Sequence, residues 1–510
     1  MGINVPAISL VTHDNRTGKK DTPYRNLFEV KERRENGYFH GVSTRQNDTS
    51  ISTPVTADSG IAFVVGAAPG HTVGGAPNDP IMCQSYAEAV AALGYSDDWE
   101  KYPICEAIYS QFKLYGVAPV VFVNVLDPAK HKKSVAEQNY PVADGKVLLP
   151  LEALKNTVKV TSYTAGTDYE LFYEGENLIL EVLDGGSIPA ETGELTITFD
   201  AVDPSKINEN DIIGGFDTST KKYSGLELID KVFPKYGIVP DLIVAPGWSD
   251  KSNVAAVMTA KADAINTVFT GAKALIDADT NTVRHYADVP AWKKAQNMNS
   301  KAEILCWPMF GLGDRAFHAS VHAAGLMGKT DSDNGGCPAE SPSNKSLQID
   351  RAMLADGTTV LLDLAQANYL NSNGIVTALN FIGSYVLWGD ETACFPADTD
   401  VKNYFISVSR MFGWVARSVI LTYWSKIDKK MTRRLIDSIV DSVNIWLNGL
   451  VSEEKLLGAR VEFLDEENST TALMAGKAVF HIYMTPASPM RECEFVLEYD
   501  ADYVTAALSA

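Results

Sequence analysis

Short uncharged strands that alternate with helices are the feature of this chain that most restricts its fold. Ile61–Gly66 (IAFVVG) is apolar throughout and ends in glycine, and Pro119–Val125 (PVVFVNV) is a second uncharged segment of this kind. Between them, Ser85–Leu93 and Ile104–Tyr115 have the apolar spacing of helices. Uncharged strands are typical of sheets buried on both faces, and parallel strands need crossover connections. The sequence therefore predicts an α/β fold with parallel or mixed sheets and crossover helices.

A different pattern interrupts this alternation. Between Val147 and Val202 the chain contains four strand-like segments separated by glycine turns, without helical spacing. Residues 141–225 hold 15 acidic and 6 basic residues, a net charge of −9. These features indicate an acidic, antiparallel, all-β domain inserted into the α/β host.

The α/β pattern returns at Ser224, and two long helices are predicted near the end, over about Tyr404–Trp424 and Lys429–Gly449. The last segments again have the character of strands. The resulting expectation is a multidomain protein of mixed α/β class with extended terminal segments. Its predicted parts are an N-terminal extension (1–60), the first part of the α/β domain (61–145), the β insertion (146–216), the second part of the α/β domain (217–360), a C-terminal domain (361–490) and a C-terminal arm (491–510).

Composition and charge exclude several classes of protein. Hydrophobic residues make up 45% and charged residues 21% of the 510 positions, which is typical of a folded protein. With 44 basic and 64 acidic residues the net charge is −20, so we expect no direct contact with nucleic acid. The chain has neither an apolar run of ~18 residues nor a basic leader before one, so we expect no membrane insertion and no signal peptide.

The sequence motifs that could indicate a catalytic or ligand-binding site depart from the known patterns of such sites. The loop Gly66–Gly75 follows a strand, as a phosphate-binding loop does, but His71 stands where such a loop has lysine. His318 and His322 are four residues apart on a predicted helix, without the glutamate of a zinc protease or an evident third ligand. We therefore expect no catalytic residue, no metal site and no cofactor.

One segment reverses the charge of the chain. Residues 402–434 contain eight basic side chains and one acidic side chain. On the second long helix an apolar stripe follows one face; Lys430 and Arg434 fall on the opposite face, and Lys429 and Arg433 lie beside the stripe. Because acidic residues are abundant elsewhere, this cluster favours contact with an acidic surface of another protein over an ordinary solvated helix face.

Ala323–Leu347 contains AG, TD and SPSN elements in this order, and it resembles a segment of the phage tail sheath proteins. Leu370–Ala393 resembles the family segment N-x-x-G-I…W-G-x-R-T, with Asp390 and Glu391 in place of an Asn-Arg pair. From Phe405 to the end, the order of paired helices and closing strands resembles the layout of the C-terminal sheath domain.

The N-terminal region extends this resemblance. His40-Gly41-Val42, followed by Thr53–Gly66, is similar to the arm that leads into the first core strand of sheath proteins. The resemblance implies a structural subunit, not an enzyme: a contractile sheath that polymerises helically around an inner tube and drives it through a target cell envelope. It also implies arms that add strands to neighbouring subunits. The arm residues expected here are His40, Gly41, Val42, Ile51, Phe495, Leu497 and Tyr499.

The resemblance also implies partners and a location. The partners are further copies of the chain in stacked hexameric rings, the inner tail tube protein, and the baseplate and tail terminator proteins. Family members grip the tube through a helix of the C-terminal domain, which assigns the tube contact to Lys429, Lys430, Arg433 and Arg434. We expect the protein in the tail of a virion or phage-like particle, after synthesis in the host bacterial cytoplasm.

Alternatives from other classes stay open at this point. An α/β enzyme would need polar residues that converge in a pocket. An adhesin or carbohydrate-binding protein would need aromatic platforms, which Tyr163, Tyr169, Phe172 and Tyr173 of the β insertion could supply. The terminal segment Glu494–Tyr499 fits an edge strand within the chain nearly as well as an arm that pairs with a neighbour.

Overall fold

The computed structural model describes residues 56–508, so the expected N-terminal arm residues His40, Gly41, Val42 and Ile51 lie outside the described range. The strands are β1 (Ala62–Gly66), β2 (Ile81–Cys83), β3 (Val120–Asn124), β4 (Lys132–Pro141), β5 (Lys146–Pro150), β6 (Lys159–Val160), β7 (Tyr169–Glu174), β8 (Asn177–Val182), β9 (Glu194–Val202), β10 (Gly215–Asp217), β11 (Lys222–Ser224), β12 (Leu242–Val244), β13 (Lys273–Asp277), β14 (Glu303–Cys306), β15 (Met309–Leu312), β16 (Arg315–Phe317), β17 (Arg351–Met353), β18 (Thr359–Val360), β19 (Ile375–Asn380), β20 (Tyr385–Trp388), β21 (Leu456–Glu462) and β22 (His481–Pro486). The α-helices are α1 (Tyr86–Leu93), α2 (Pro103–Ile108), α3 (Glu209–Ile213), α4 (Val232–Tyr236), α5 (Ser252–Asp263), α6 (Val289–Ala295), α7 (Ala319–Asp333), α8 (Leu364–Asn371), α9 (Val401–Tyr404), α10 (Ile406–Tyr423), α11 (Arg433–Ser452), α12 (Thr470–Met474) and α13 (Ala501–Leu508).

An eight-stranded sheet in the order β2-β3-β1-β12-β13-β14-β19-β20 forms the centre of the fold. The six inner strands are parallel, and β2 and β20 run antiparallel at the two edges. Every residue of β1 and β3 is buried, as their uncharged sequences require. The expected mixed α/β fold with crossover helices is confirmed.

The sheet extends further along the chain than the predicted domain boundary at residue 361. Strands β19 and β20 pair with β14 and with each other, so they belong to the central sheet. The sequence shows this region only as an apolar stretch that reaches Trp388, because apolar character indicates burial and carries no information about which sheet a strand joins.

The β insertion consists of two three-stranded antiparallel sheets, β4-β9-β6 and β5-β8-β7. They enclose a separate core of residues such as Val147, Leu180 and Ile197. The first strand begins at Lys132, ahead of the predicted start at 146, because β4 is largely exposed and lacks an apolar alternation that would mark it. At the other end Ile207 and Ile212, beyond β9, already pack in the main core.

The C-terminal elements form a third core between α10, α11 and the two-stranded sheet β21-β22. Met411 and Trp414 of α10 pack there with Val443 and Leu447 of α11. The opposite side of α10 lies close to the main body: a Cβ added to Gly271, whose φ is +81°, would lie 2.4 Å from the Gly413 Cα. Within residues 56–508, no helix is long and apolar enough to cross a membrane.

Candidate assembly surfaces

Two of the eight basic residues between 402 and 434 lie in the protein interior. Arg410 Nη1 donates to Asp331 Oδ1 at 3.0 Å, and Arg410 Nη2 donates to Asp241 Oδ2 at 3.0 Å and also to Asp331 Oδ2. Arg417 Nη2 lies 3.4 Å from Asp241 Oδ2, and the Ser59 hydroxyl donates to Asp331 at 2.6 Å. All four charged side chains are buried. These five residues, which we call the ionic cluster, join α10 to the main body, so residues 402–434 do not form one basic surface.

The predicted tube-contact residues are on the protein surface, but their local structure differs from the expectation. Helix α11 begins at Arg433 and not at Lys429, because the Thr432 hydroxyl caps it by accepting from the Leu435 amide at 3.2 Å. Lys429 and Lys430 therefore lie in the turn before the helix. All four basic side chains are exposed, and Arg433 pairs with Asp437 at 2.8 Å. Among residues 56–508, Lys429, Lys430 and Arg434 make no salt bridge.

The position of these charges is unfavourable for the helix itself. The N-terminal end of a helix carries partial positive charge, so cations there reduce its stability by ~0.3–1 kcal/mol each at low ionic strength. Arg433 and Arg434 occupy the first turn, where no acidic residue is present. An anionic partner would complement both the four side chains and the helix terminus.

Exposed apolar side chains accompany the basic ones. In the connection between α10 and α11, Trp424 is 65% and Ile427 is 66% exposed, and Met431 is also exposed. We call these three residues together with Lys429, Lys430, Arg433 and Arg434 the basic-apolar surface. Large apolar residues beside cations are typical of a protein-binding surface, since aromatic residues and Met are enriched at interfaces.

The C-terminal segment differs from the expected strand. Residues 487–500 contain no strand, and Phe495, Leu497 and Tyr499 are 83%, 94% and 81% exposed. Val496, on the other side of the segment, is exposed as well. An edge strand within the chain is therefore not formed, and these apolar side chains have no packing partner in the described part of the chain.

The sheet β21-β22 offers free backbone edges close to the start of this segment. Its strands pair only with each other in the described residues. The outer edge of β21 is covered in part, because the Asn444 side chain accepts from the Val461 amide at 2.9 Å and donates to the Val461 carbonyl at 3.2 Å. No such side-chain contact covers the backbone of β22 in the described residues. One face packs on α11 through Leu456 and Val461, whereas Leu457 is exposed. An open edge of this kind is a template for a strand from another chain.

The two histidines do not form a metal site. His318 precedes α7, and its Nδ1 lies 2.8 Å from Glu106 Oε2. Burial lowers the pKa of His318, but the Glu106 carboxylate outweighs that effect and raises it to about 9. His322 Nδ1 lies 2.8 Å from the Tyr115 hydroxyl, and burial lowers the pKa of His322 to about 3. In residues 56–508, no group of His, Cys, Asp and Glu has a metal-binding arrangement.

The aromatic residues of the β insertion serve its own packing. Tyr169 is buried in the core of the insertion, and Tyr163 packs against that core. The Tyr173 hydroxyl donates to the Ala153 carbonyl at 2.7 Å. These contacts disfavour a carbohydrate-binding platform at these positions.

Comparison with known proteins identifies the family. The chain is 30% identical over 492 residues to the tail sheath protein of Burkholderia phage BcepMu, covering 92% of this chain and 98% of that protein. It is 24% identical over 291 residues to the tail sheath protein of Escherichia phage P2, covering 55% of this chain and 68% of that protein. No model of a known protein family matches the chain.

Solved structures show the same fold at lower identity. The contracted sheath complex of the extracellular contractile injection system PVC is 12% identical, with a TM-score of 0.56 over 92% of this chain and 99% of that chain. The contracted helical sheath of the anti-feeding prophage is 13% identical, with a TM-score of 0.55 over 91% and 100% of the two chains. The chain therefore belongs to the phage tail sheath protein family, as a structural subunit of a contractile tail sheath.

Proposed function

We propose that this subunit links to its neighbours through its C-terminal segment and grips an inner tube through its basic-apolar surface. The observation that carries the proposal is the exposed apolar segment 494–499, which follows a two-stranded sheet whose outer edges are only partly covered. Stacked hexameric rings joined in this way would form a helical sheath whose contraction drives the tube through a target envelope.

The link between subunits follows from burial and backbone pairing. Burying a large apolar side chain contributes ~1.5–3 kcal/mol, and Phe495, Leu497 and Tyr499 would share one side of the segment once it is extended as a strand. Pairing this segment with an open edge of β21-β22 in a neighbour would bury that side and satisfy backbone groups of both chains. The predicted N-terminal arm, with His40, Gly41, Val42 and Ile51, would contribute a further strand in the same way.

The tube contact follows from charge. The basic-apolar surface combines four cations, an unfavourable helix terminus and three exposed apolar side chains, all of which an acidic tube surface with apolar patches would complement. Exposed ion pairs contribute only ~0–1 kcal/mol each, so this contact can be given up during contraction. Many copies along a tube would still hold the extended sheath in place.

Membership of the tail sheath family supports further parts of the proposal, which concern the ends of the sheath, the location of the protein and the source of the work. The ends of the sheath would contact baseplate and tail terminator proteins, and the protein would act in the tail of a virion or phage-like particle after synthesis in the bacterial cytoplasm. The work of contraction would come from exchanged contacts between subunits in a kinetically trapped assembly, without an enzymatic reaction.

The C-terminal segment can be tested by substitution and electron microscopy. Removal of residues 494–510, or the triple change F495S/L497S/Y499S, should leave soluble subunits that form no striated tubes, because the side that pairs with the neighbour is lost. The matched control E494Q/E498Q changes the same segment on the opposite side and should polymerise normally. Normal tubes from the truncated subunit would contradict the proposed link.

A further inference from the structure

A cavity of about 830 Å³ lies where the C-terminal segment leaves the body. One wall is formed by residues 487–492, which directly follow β22, and another by Trp388–Glu391 at the end of β20. Pro486 is buried, whereas Met490 is 81% exposed, so the segment leaves the body between these two residues. The cavity therefore lies at the root of the proposed arm.

The cavity contains two adjacent buried carboxylates. Asp390 Oδ2 accepts from the Ser407 hydroxyl at 2.8 Å, and Glu391 Oε2 accepts from the Asp390 amide at 3.0 Å. Asp390 Oδ1 is buried and has no hydrogen-bond partner at hydrogen-bond geometry within the described range. Burial raises the pKa of Asp390 to about 7, as expected for a carboxyl group that lacks a counterion. The Ser341 hydroxyl, which also lines the cavity, lies near the carboxyl group and partly opposes the rise in its pKa.

One cation reaches this pair. Arg491 Nη1 lies 3.6 Å from Glu391 Oε1, and in residues 56–508 no other cationic side chain lies within 4.0 Å of either carboxylate. The nearby Lys345 already pairs with Glu340 at 2.6 Å. The separation of 3.6 Å is too long for a direct hydrogen bond, and the Arg491 side chain is 58% exposed. Arg491 thus lies at the rim of a cavity whose unpaired acceptor is deeper inside.

We propose that the acidic cavity is a seat for a guanidinium group, and that Arg491 of the same chain is its occupant. A guanidinium group presents donors in a planar fork and can reach two acceptors at once, here Asp390 Oδ1 and Glu391 Oε1. Seating it would satisfy the orphaned acceptor and supply a close counterion to the buried pair. It would also fix the root of the C-terminal segment, three residues before Glu494.

The functional meaning of the seat rests on the proposed role of the segment as a link between subunits. A seated Arg491 sets the point and direction from which residues 494–499 reach a neighbour. A released Arg491 lets the segment sample other directions, which lowers the effective concentration of the arm at its acceptor edge. The seat itself belongs to the isolated subunit and can be tested without any assembly.

Cys493 provides the probe. It is exposed, whereas the other five cysteines are buried, so a thiol-reactive nitroxide should label the folded full-length subunit at Cys493. Electron paramagnetic resonance then reports the mobility of the segment two residues from Arg491. Loss of a partly exposed charged contact should raise the ratio of mobile to immobile label about fivefold in R491Q. R491K, which keeps the charge but not the fork, should give an intermediate ratio.

The control and the outcomes separate the seat from the arm. R284Q removes an exposed arginine paired with Asp356 at 2.7 Å and should leave the spectrum unchanged. E391Q should mobilise the label as R491Q does. If substitution of the buried Glu391 prevents folding, the spectrum of R491Q is sufficient to test the seat. An unchanged spectrum in R491Q would refute the seat, whatever the polymerisation assay shows. If R491Q mobilises the label but the subunit without residues 494–510 still forms tubes, the seat is supported and the linking role is refuted.

Discussion

Replacing Arg410 by methionine should strongly destabilise the subunit, because it removes the main counterion of the ionic cluster. Arg410 contacts both Asp331 and Asp241, and all three side chains are buried. Without it, Asp241 keeps Arg417 at 3.4 Å, but Asp331 keeps only the Ser59 hydroxyl. Methionine fills a comparable volume, so the loss of stability in R410M should come from the missing charge and not from a cavity.

The magnitude follows from the number of charges left unpaired. Breaking a buried ion pair by removing one partner costs ~3–5 kcal/mol, since a carboxylate remains in a region of low dielectric constant. We expect R410M to lose about this much, which is a large part of the ~5–15 kcal/mol that stabilises a typical domain. The exposed pair of Arg433 and Asp437 provides the comparison, and R433M should lose at most ~1 kcal/mol.

Urea unfolding followed by tryptophan fluorescence is the appropriate assay. Trp414 lies on α10, the same helix as Arg410, and its indole Nε1 donates to the Ala57 carbonyl at 2.8 Å. Separation of α10 from the main body should therefore change its emission. A chain with several cores need not unfold in two states, so a single free energy of unfolding is not well defined. The urea midpoint of the fluorescence transition is therefore compared between the variants. A shift for R410M no larger than that for R433M would refute the reasoning.

Three further predictions address the surfaces, a buried histidine and the insertion. K430E/R434E should abolish co-sedimentation with tubes of the candidate tube protein while leaving the urea midpoint unchanged, and the matched reversal K159E/K221E on the insertion and the β10-β11 hairpin should bind normally. The pKa of His318 is raised to about 9 from an ordinary 6.5, so its protonation stabilises the fold fully below pH 6.5 and this contribution is lost as pH rises through 9. The stability difference between the wild type and H318Q should thus shrink over that range in urea titrations, and a constant difference would contradict the assignment. Replacing residues 133–201 by a two-glycine turn should preserve folding and tube formation by electron microscopy, because Lys132 and Val202 are paired neighbours; an unfolded product would show that the main core depends on the insertion.

The central sheet could be predicted because its inner strands are uncharged and buried on both faces. Ile61–Gly66 and Pro119–Val125 gave β1 and β3 almost residue by residue. Strand β4 could not be predicted, since an exposed strand has no apolar alternation. The partners of β19 and β20 were hidden for another reason: pairing depends on tertiary contacts that periodicity does not encode.

For the charged residues too, the sequence predicts some properties, whereas others depend on tertiary contacts. The sequence identifies Arg410 and Arg417 as basic, but only the fold shows that they are buried beside Asp241 and Asp331, far away in the chain. The acidic pair Asp390-Glu391 was visible as a departure from the family pattern, although its cation, Arg491, follows a hundred residues later. Charge can be counted from sequence, whereas the partner that decides its role cannot.

The placement of charges suggests how the subunit changes its contacts without losing its shape. Removing one partner from the buried ionic cluster costs ~3–5 kcal/mol, whereas each exposed pair at the basic-apolar surface contributes ~0–1 kcal/mol. If the basic-apolar surface grips a tube as proposed, its exposed contacts should break before α10 separates from the main body, because separating α10 would also open the buried contacts of Ile406 and Gly413 with that body. This order suits the proposed contraction, since a subunit that opened at α10 first would expose the ionic cluster and lose the shape from which its contacts with neighbours re-form. Arg410 thus joins α10 to the body, while Lys430 and Arg434 lie on the surface where, under the proposed function, contacts are exchanged.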